Sequence, residues 1–139
     1  MIVASDTGVI SAVVLRDPIL RLRGKPDYVL VEDSGGRHEL VPLELKPTRR
    51  ARRVYESDAV QVGAYLLLLR ATYGDRAAPF GYVRYVTGTF RIDLTLDLES
   101  RIGATVAAVR RGRRTAVDLH DWPPGRHAIA CPAQTPKRG

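Results

Sequence analysis

Three short segments carry side chains whose types and spacing could act together on a phosphate ester. Asp27 follows a Gly-x-Pro turn, Glu44 and Lys46 stand two residues apart in an apolar run, and Gln61 and Tyr65 stand four apart. Carboxylates are the hard oxygen ligands that Mg²⁺ prefers, and an ammonium beside them offsets the negative charge that develops as a phosphodiester is hydrolysed. The combination predicts a divalent-metal site that cleaves phosphodiesters.

A β-hairpin would bring the two carboxylates together. Residues 28–32 and 40–46 have the composition of strands, and the turn sequence 33–36 between them contains two glycines. A symmetric hairpin centred between these glycines places Asp27 directly opposite Glu44, with Cβ atoms about 4.5–5.5 Å apart. Two carboxylates at that spacing repel one another unless a cation lies beside them. The hairpin therefore predicts a shared cation.

Asp27 and the last three residues of the second strand have candidate roles at this site. Asp27 and Glu44 are the predicted metal ligands, and the carbonyl of Leu45 is a candidate third ligand, because the strand holds it rigidly. Lys46 lies on the same strand face as Glu44 and would orient the attacking water. The alternative for this triplet alone is an ordinary ion pair at a strand end, because acid-x-lysine triplets are common.

A helix is predicted to follow, with Ser57 or Asp58 as its cap and its end at residue 73, where a glycine stops it. Gln61 and Tyr65 lie one turn apart on this helix and share a face. The amide would hold a ligating acid or a phosphate, and the phenol would touch the nucleic acid backbone. The alternative is that both residues pack at the edge of the core.

The charge of the chain favours a polyanionic partner. The 139 residues carry a net charge of +7, with a pI of about 10.1. Two arginine clusters stand out, and the first directly follows the predicted site, where it would clamp DNA or RNA. The alternative is a solvated charged loop. The second cluster, at 110–114, predicts a helix-end effect with a secondary nucleic acid contact. The first cluster consists of Arg49, Arg50, Arg52 and Arg53.

Of the remaining residues, those from 81 to 111 have patterns that predict elements, whereas residues 1–23 do not. Residues 81–86 and 89–94 predict a second hairpin that turns at Thr87-Gly88, and residues 96–111 predict a second helix. Residues 1–23 contain apolar runs but no pattern that assigns an element.

Length and composition predict one globular domain over residues 1–115 and a loosely structured tail over 116–139. A single cysteine, Cys131, excludes an internal disulfide framework. The longest aliphatic run, residues 66–69, is too short to cross a membrane. With no charged start typical of a secretory signal, the expected location is the cytoplasm, away from membranes.

Three motifs together resemble the RecB-like branch of the PD-(D/E)XK nucleases, over roughly residues 20–115. Gly24-x-Pro26-Asp27, Glu44-x-Lys46 and Gln61-x-x-x-Tyr65 match the successive motifs of that branch in order and spacing. The likeness is strongest to the CRISPR-associated exonuclease family that trims DNA before spacer insertion.

This resemblance implies an α/β restriction-endonuclease-like core, with a mixed β-sheet flanked by α-helices. It implies Mg²⁺ or Mn²⁺ dependence and exonuclease cleavage of DNA ends or single strands. The biological setting would be CRISPR adaptation, with integration proteins as partners, or DNA repair. By the same resemblance Asp27 and Glu44 would be ligands, Lys46 the water-orienting residue, and Gln61 and Tyr65 supporting residues.

Two departures from the branch stand beside the resemblance. Its members usually carry an upstream histidine, but no histidine precedes His38 here, and Asp6 is the candidate substitute. Many members hold an iron–sulfur cluster on four cysteines, whereas this chain has Cys131 alone, with Gln134 where a partner would stand. No iron–sulfur cluster is therefore expected.

Two other readings remain open. The departures favour a non-catalytic nucleic-acid-binding adaptor on a degenerate nuclease fold, although the intact Asp27, Glu44 and Lys46 argue against it. A third reading keeps the fold and assigns junction resolution or restriction.

Overall fold

A computed structural model describes residues 2–4, 7–10, 14–19, 22–110 and 117–118. The helices are α1 (Glu56–Tyr73) and α2 (Leu96–Arg110), and a short 3-10 turn (Gly74–Arg76) follows α1. The strands are β1 (Ile2–Ala4), β2 (Thr7–Ile10), β3 (Leu15–Asp17), β4 (Leu22–Gly24), β5 (Tyr28–Ser34), β6 (Arg37–Leu45), β7 (Phe80–Tyr85), β8 (Gly88–Asp93) and β9 (Val117–Asp118).

Six strands form one mixed sheet in the order β1-β2-β5-β6-β7-β8. Its neighbours pair antiparallel except β6 and β7, which run parallel and are joined through α1, as a parallel pair requires a crossover. Strands β3, β4 and β9 form a second, smaller sheet. The predicted α/β class with a mixed sheet and flanking helices is confirmed.

The β5–β6 hairpin has the predicted register. Tyr28 pairs with Leu43, and the ladder continues without a bulge to the pair Ser34 and Arg37 at the turn. The two turn glycines have φ values of 58° and 82°, a left-handed conformation that favours glycine over other residues. The strands reach closer to the turn than predicted, because Ser34 and Arg37 also pair. One step beyond Tyr28 and Leu43, Asp27 lies beside Glu44.

Helix α1 is the centre of the core. All twelve residues from 58 to 69 are buried, since the helix contacts strands β3, β4, β6, β7 and β8 and also packs against α2. Close approach of α2 depends on Gly63, where a Cβ would lie 2.7 Å from Ile102 Cδ1. A helix buried on all sides is apolar on all sides, so any charged residue within it requires an explanation.

The C-terminal end of α1 agrees with the prediction, and its N-terminal start does not. Gly74, with φ 60°, terminates the helix, and its N–H donates to the carbonyl of Arg70. The predicted cap is wrong: the cap position is Tyr55, no side chain caps the helix, and Ser57 and Asp58 lie inside its first turn. The Asp58 carboxylate is bonded elsewhere, as described below.

The second hairpin and second helix are present. The hairpin turns at Val86-Thr87, one residue before the predicted position, and Gly88 already belongs to β8. Four short strands, β1 to β4, lie within residues 1–23 or end just after them, where the sequence assigned no element. Runs of three or four residues are too short to establish an alternating pattern.

Several predictions fall outside the described residues, namely those on Asp6, Cys131 and Gln134. The same holds for the 110–114 cluster beyond the backbone of residue 110. Of the predicted tail, 117–118 is described as β9, parallel to β4, so the domain boundary at 115 stays a prediction. Neither α1 nor α2 is long and apolar enough to cross a membrane.

Candidate active site

The predicted site residues converge on the sheet face that α1 covers. Glu44 pairs with buried Val83 in the parallel β6–β7 ladder and therefore shares its face, toward α1. Asp27 lies directly before β5, the strand that pairs with β6. Lys46 follows β6, and its N–H donates to the carbonyl of Arg84 at 2.8 Å, which extends the ladder by one residue. The sheet thus fixes the backbone of all three motif residues.

Asp27 and Glu44 are tied to each other through the backbone. The Asp27 N–H donates to Glu44 Oε1 at 3.2 Å, and the Leu45 N–H donates to Asp27 Oδ2 at 2.8 Å. These two bonds orient both carboxylates across the end of the hairpin. The sequence-predicted pairing of the two acids is therefore present in the structure.

Glu44 differs from Asp27 in its environment. The Glu44 residue is 8% exposed, whereas Asp27 lies at the surface. Burial, and then the neighbouring charge of Asp27, raise the pKa of Glu44 from 4.5 to about 7, although Lys46 opposes the increase. Near neutral pH Glu44 therefore exchanges between its neutral and its charged form.

Lys46 lies between two carboxylates. Its Nζ is 3.9 Å from Glu44 Oε2 and 3.8 Å from Asp58 Oδ1, and its side chain is 24% exposed. These distances are ion-pair contacts beyond hydrogen-bond length. The ammonium is near the acid pair and still accessible from solvent, as a group that orients water must be.

Asp58 is the residue that the sequence analysis missed at this site. It is 3% exposed, and its Oδ2 accepts hydrogen bonds from Arg49 Nη1 at 3.0 Å and from the Tyr85 hydroxyl at 2.5 Å. Its other oxygen faces Lys46. Asp58 thus connects the lysine, the arginine-rich segment and the sheet.

A signal for Asp58 was present in the sequence. Asp58, Gln61 and Tyr65 follow one another at spacings of three and four, which places them on one helix face. An acid on the same face as two motif residues could have been assigned to the site. An acid in the first turn of a helix also interacts favourably with the helix dipole. Because this is a common reason for an acid at that position, a role for Asp58 at the site was not predicted.

Gln61 and Tyr65 are buried beside the site, with exposures of 6% and 2%. The Tyr65 hydroxyl donates to the carbonyl of Lys25 at 3.4 Å and so connects α1 to the turn that carries Asp27. This contact fits the supporting role that the resemblance implied. A phenol buried to this extent does not reach a nucleic acid backbone, so that expectation finds no support.

Residues 47–55, which we call the arginine loop, join β6 to α1 beside the site. The carbonyl of Arg49 accepts from the Val86 N–H at 2.9 Å, and Thr87 Oγ1 donates to the carbonyl of Ala51. The Arg49 guanidinium lies 4.7 Å from the centre of the Tyr55 ring. Arg49, the first arginine of the arginine loop, is therefore held in place, whereas the other three arginines are exposed. These are Arg50, Arg52 and Arg53.

The acid pair suits a hard divalent ion. Its two carboxylates are adjacent, and the raised pKa of Glu44 reflects in part the repulsion that a cation would relieve. In the described residues no cluster of three or more histidine, cysteine or acidic side chains could hold a metal. Mg²⁺ commonly takes one or two carboxylates and keeps several waters, so two acids and the Leu45 carbonyl would be enough.

Comparison with known proteins identifies the family. The model of the PD-(D/E)XK nuclease superfamily matches residues 1–127. A search of the curated proteins found no match. The matched range contains the paired acids, the lysine and the helix that packs over them. From the extent of this match and the arrangement of these residues, the chain belongs to the PD-(D/E)XK nuclease superfamily.

Proposed function

We propose that the protein is a Mg²⁺- or Mn²⁺-dependent deoxyribonuclease. The observation that carries the proposal is the pair Asp27 and Glu44, in which Glu44 accepts from the Asp27 N–H and Asp27 accepts from the Leu45 N–H. The Lys46 ammonium lies 3.9 Å from Glu44. Family membership supports hydrolysis of nucleic acid. Adjacent acids with a lysine beside them supply the charges that phosphodiester hydrolysis requires.

Each residue has a defined task in the proposed reaction. A divalent ion bound by Asp27 and Glu44, with the Leu45 carbonyl, would neutralise the phosphoryl oxygens of the substrate. Lys46 would orient the attacking water and offset developing negative charge. Tyr65 would keep the Asp27 turn against α1, and Gln61 would support the same face.

The arginine loop is the proposed contact for the DNA backbone. Three of its arginines are exposed next to the site, and each can neutralise a phosphate. A short basic loop at the mouth of a site suits single strands or DNA ends, which enter lengthwise. We therefore propose exonuclease activity of the RecB-like type, in CRISPR adaptation or DNA repair. Cytoplasmic location agrees with a single cysteine in the chain.

Cleavage of labelled DNA tests the proposal. Single-stranded, blunt and branched DNA are incubated with Mn²⁺ or Mg²⁺ and the wild type, Asp27→Asn or Lys46→Met. Asp75→Asn, an exposed acid remote from the site, is the matched control. We expect cleavage by wild type and control and its loss in both site variants. Equal cleavage by all four proteins would contradict the proposal, and the substrate series separates exonuclease action from junction resolution or restriction.

A second candidate function is a non-catalytic DNA-binding adaptor. Its favouring observation is that the acid pair gains no third acidic or histidine partner among the described residues. An adaptor would bind DNA tightly with a steep dependence on salt and without turnover in any divalent metal. Filter binding from low to high salt, run beside the cleavage assay, distinguishes the two functions.

A further inference from the structure

Asp58 is a buried charge that neither caps its helix nor belongs to the predicted catalytic motifs. Its side chain is 4% exposed, and both of its oxygens have partners. Burying a carboxylate carries a large desolvation penalty before its partners compensate, so well-packed apolar residues often serve stability equally well. A contribution to stability alone is therefore a weak explanation for Asp58.

The two oxygens of Asp58 face two different parts of the site. Oδ1 lies 3.8 Å from Lys46 Nζ, while Oδ2 accepts from Arg49 at 3.0 Å and from the Tyr85 hydroxyl. Tyr85 also accepts a hydrogen bond from the Tyr55 N–H at 3.0 Å, at the end of the arginine loop. The Asp58 carboxylate thus contacts Lys46 and the start of the arginine loop directly. It reaches the end of the loop through Tyr85.

The nearly equal distances from Lys46 to its two acids have a consequence. The ammonium is 3.9 Å from Glu44 and 3.8 Å from Asp58, so Asp58 opposes the attraction of Glu44. With Asp58 neutral, Lys46 would be drawn onto Glu44 and would compete there with a divalent ion. A lysine held between two acids stays near the reaction without occupying the cation position.

We propose that Asp58 is a positioning residue that holds Lys46 away from Glu44 and couples it to the arginine loop. The inference rests on the proposed nuclease function and assigns a residue outside its motifs. The Asp58 carboxylate bonds Arg49, the anchored arginine of the loop, and faces Lys46, so it links the loop to the lysine. The loop that binds DNA and the lysine that orients water thereby act as one unit.

Asp58→Asn is the principal test, because asparagine keeps the shape and removes the charge. Tyr85→Phe is the matched variant, since it removes a hydrogen bond to Asp58 but leaves the charge. We expect kcat to fall about ten- to hundredfold in Asp58→Asn, as for other residues that orient catalytic groups, and much less in Tyr85→Phe. In a Lys46→Met background the same substitution should have little further effect on whatever residual cleavage that variant retains, because the two residues act together.

Amine labelling of Lys46 provides a readout that does not depend on activity. The chain has three lysines, so mass spectrometry after labelling follows Lys46 with exposed Lys25 as the internal reference. We expect the labelling rate of Lys46, relative to Lys25, to change in Asp58→Asn and to stay near the wild-type value in Tyr85→Phe. Thermal unfolding establishes that each variant is folded.

The possible outcomes are distinct. If the wild type cleaves DNA and Asp58→Asn retains its kcat, or if Lys46 labelling is unchanged, the inference is wrong. If the wild type cleaves nothing, the nuclease proposal fails, while labelling still decides whether Asp58 holds Lys46. If Asp58→Asn does not fold, Arg49→Gln replaces it. Unchanged Lys46 labelling in that variant would overturn the coupling.

Discussion

Glu44→Gln should stabilise the metal-free protein at alkaline pH, although it removes a proposed ligand. The pKa of Glu44 is raised from 4.5 to about 7 by burial and by Asp27. In the folded state the group therefore keeps a proton that the unfolded chain releases. For an acid this means that stability falls as pH rises through the window between the two pKa values, and then levels off.

The size of the effect follows from the shift. A difference of 2.5 pKa units corresponds to about 3 kcal/mol, at about 1.4 kcal/mol per unit, and the side chain is buried enough for this figure to need little reduction for solvent. Glutamine resembles the protonated acid and has no such penalty. We therefore expect Glu44→Gln to be more stable than wild type by about 1 kcal/mol at pH 5 and about 3 kcal/mol at pH 8.

Urea unfolding in EDTA, at pH values from 5 to 8.5, measures this difference. Asp27→Asn is the informative companion, because it removes the second cause of the shift and should recover part of the same stability. Glu39→Gln, on the same strand but away from the acid pair, should show no comparable gain. A difference between Glu44→Gln and wild type that does not change with pH would refute the reasoning.

Three further predictions concern packing, the tyrosine and the loop. Gly81→Ala would place a Cβ 2.7 Å from Val62 and 3.1 Å from the Pro42 carbonyl, so the free energy of unfolding should fall by about 1–3 kcal/mol. Gly103→Ala has open space around the new Cβ and should stabilise α2 by about 0.5–1 kcal/mol. Thermal unfolding checks both variants, and a Gly81→Ala protein as stable as wild type would contradict the packing. Tyr85→Phe should cost about 1–3 kcal/mol in urea unfolding, since a buried carboxylate loses a donor; no loss would show that the bond is unimportant. Replacing the three exposed arginines of the arginine loop by glutamine should reduce the slope of log K against log salt for single-stranded DNA by about 2, and an unchanged slope would exclude the loop from binding.

The hairpin and its acid pair could be predicted from the sequence because their signals are local. Two adjacent glycines fix a tight turn, and a ladder without a bulge then determines every pairing as far as Asp27 and Glu44. The end of α1 was predictable for the same reason, since Gly74 terminates it through its own backbone conformation.

The start of α1 and the bonding partners of Asp58 depend on distant residues. Helical spacing places Asp58 on the same face as Gln61 and Tyr65, but it does not identify the groups that bond its carboxylate. Helix α1 begins without a side-chain cap, and the N–H groups of Asp58 and Ala59 donate to the carbonyl of Tyr55. The Asp58 carboxylate is bonded by Arg49 and by Tyr85, which is 27 residues away in the chain. Strands β1 to β4 were missed because each has at most four residues and is stabilised by its neighbours in the sheet.

The number of protons released on binding Mn²⁺ tests how the charged groups of the site act together. Three acids (Asp27, Glu44 and Asp58) face two cations (Lys46 and Arg49), so the site is close to neutral while Glu44 keeps its proton. A divalent ion must displace that proton to gain Glu44 as a ligand. With a pKa of about 7, Glu44 should release about 0.9 protons per ion at pH 6 and about 0.1 at pH 8. Calorimetry in buffers of different ionisation enthalpy measures this number, with Glu44→Gln as the control. Binding without proton release at pH 6 would mean that the ion is held elsewhere, and the proposed roles of Asp27 and Glu44 would then be wrong.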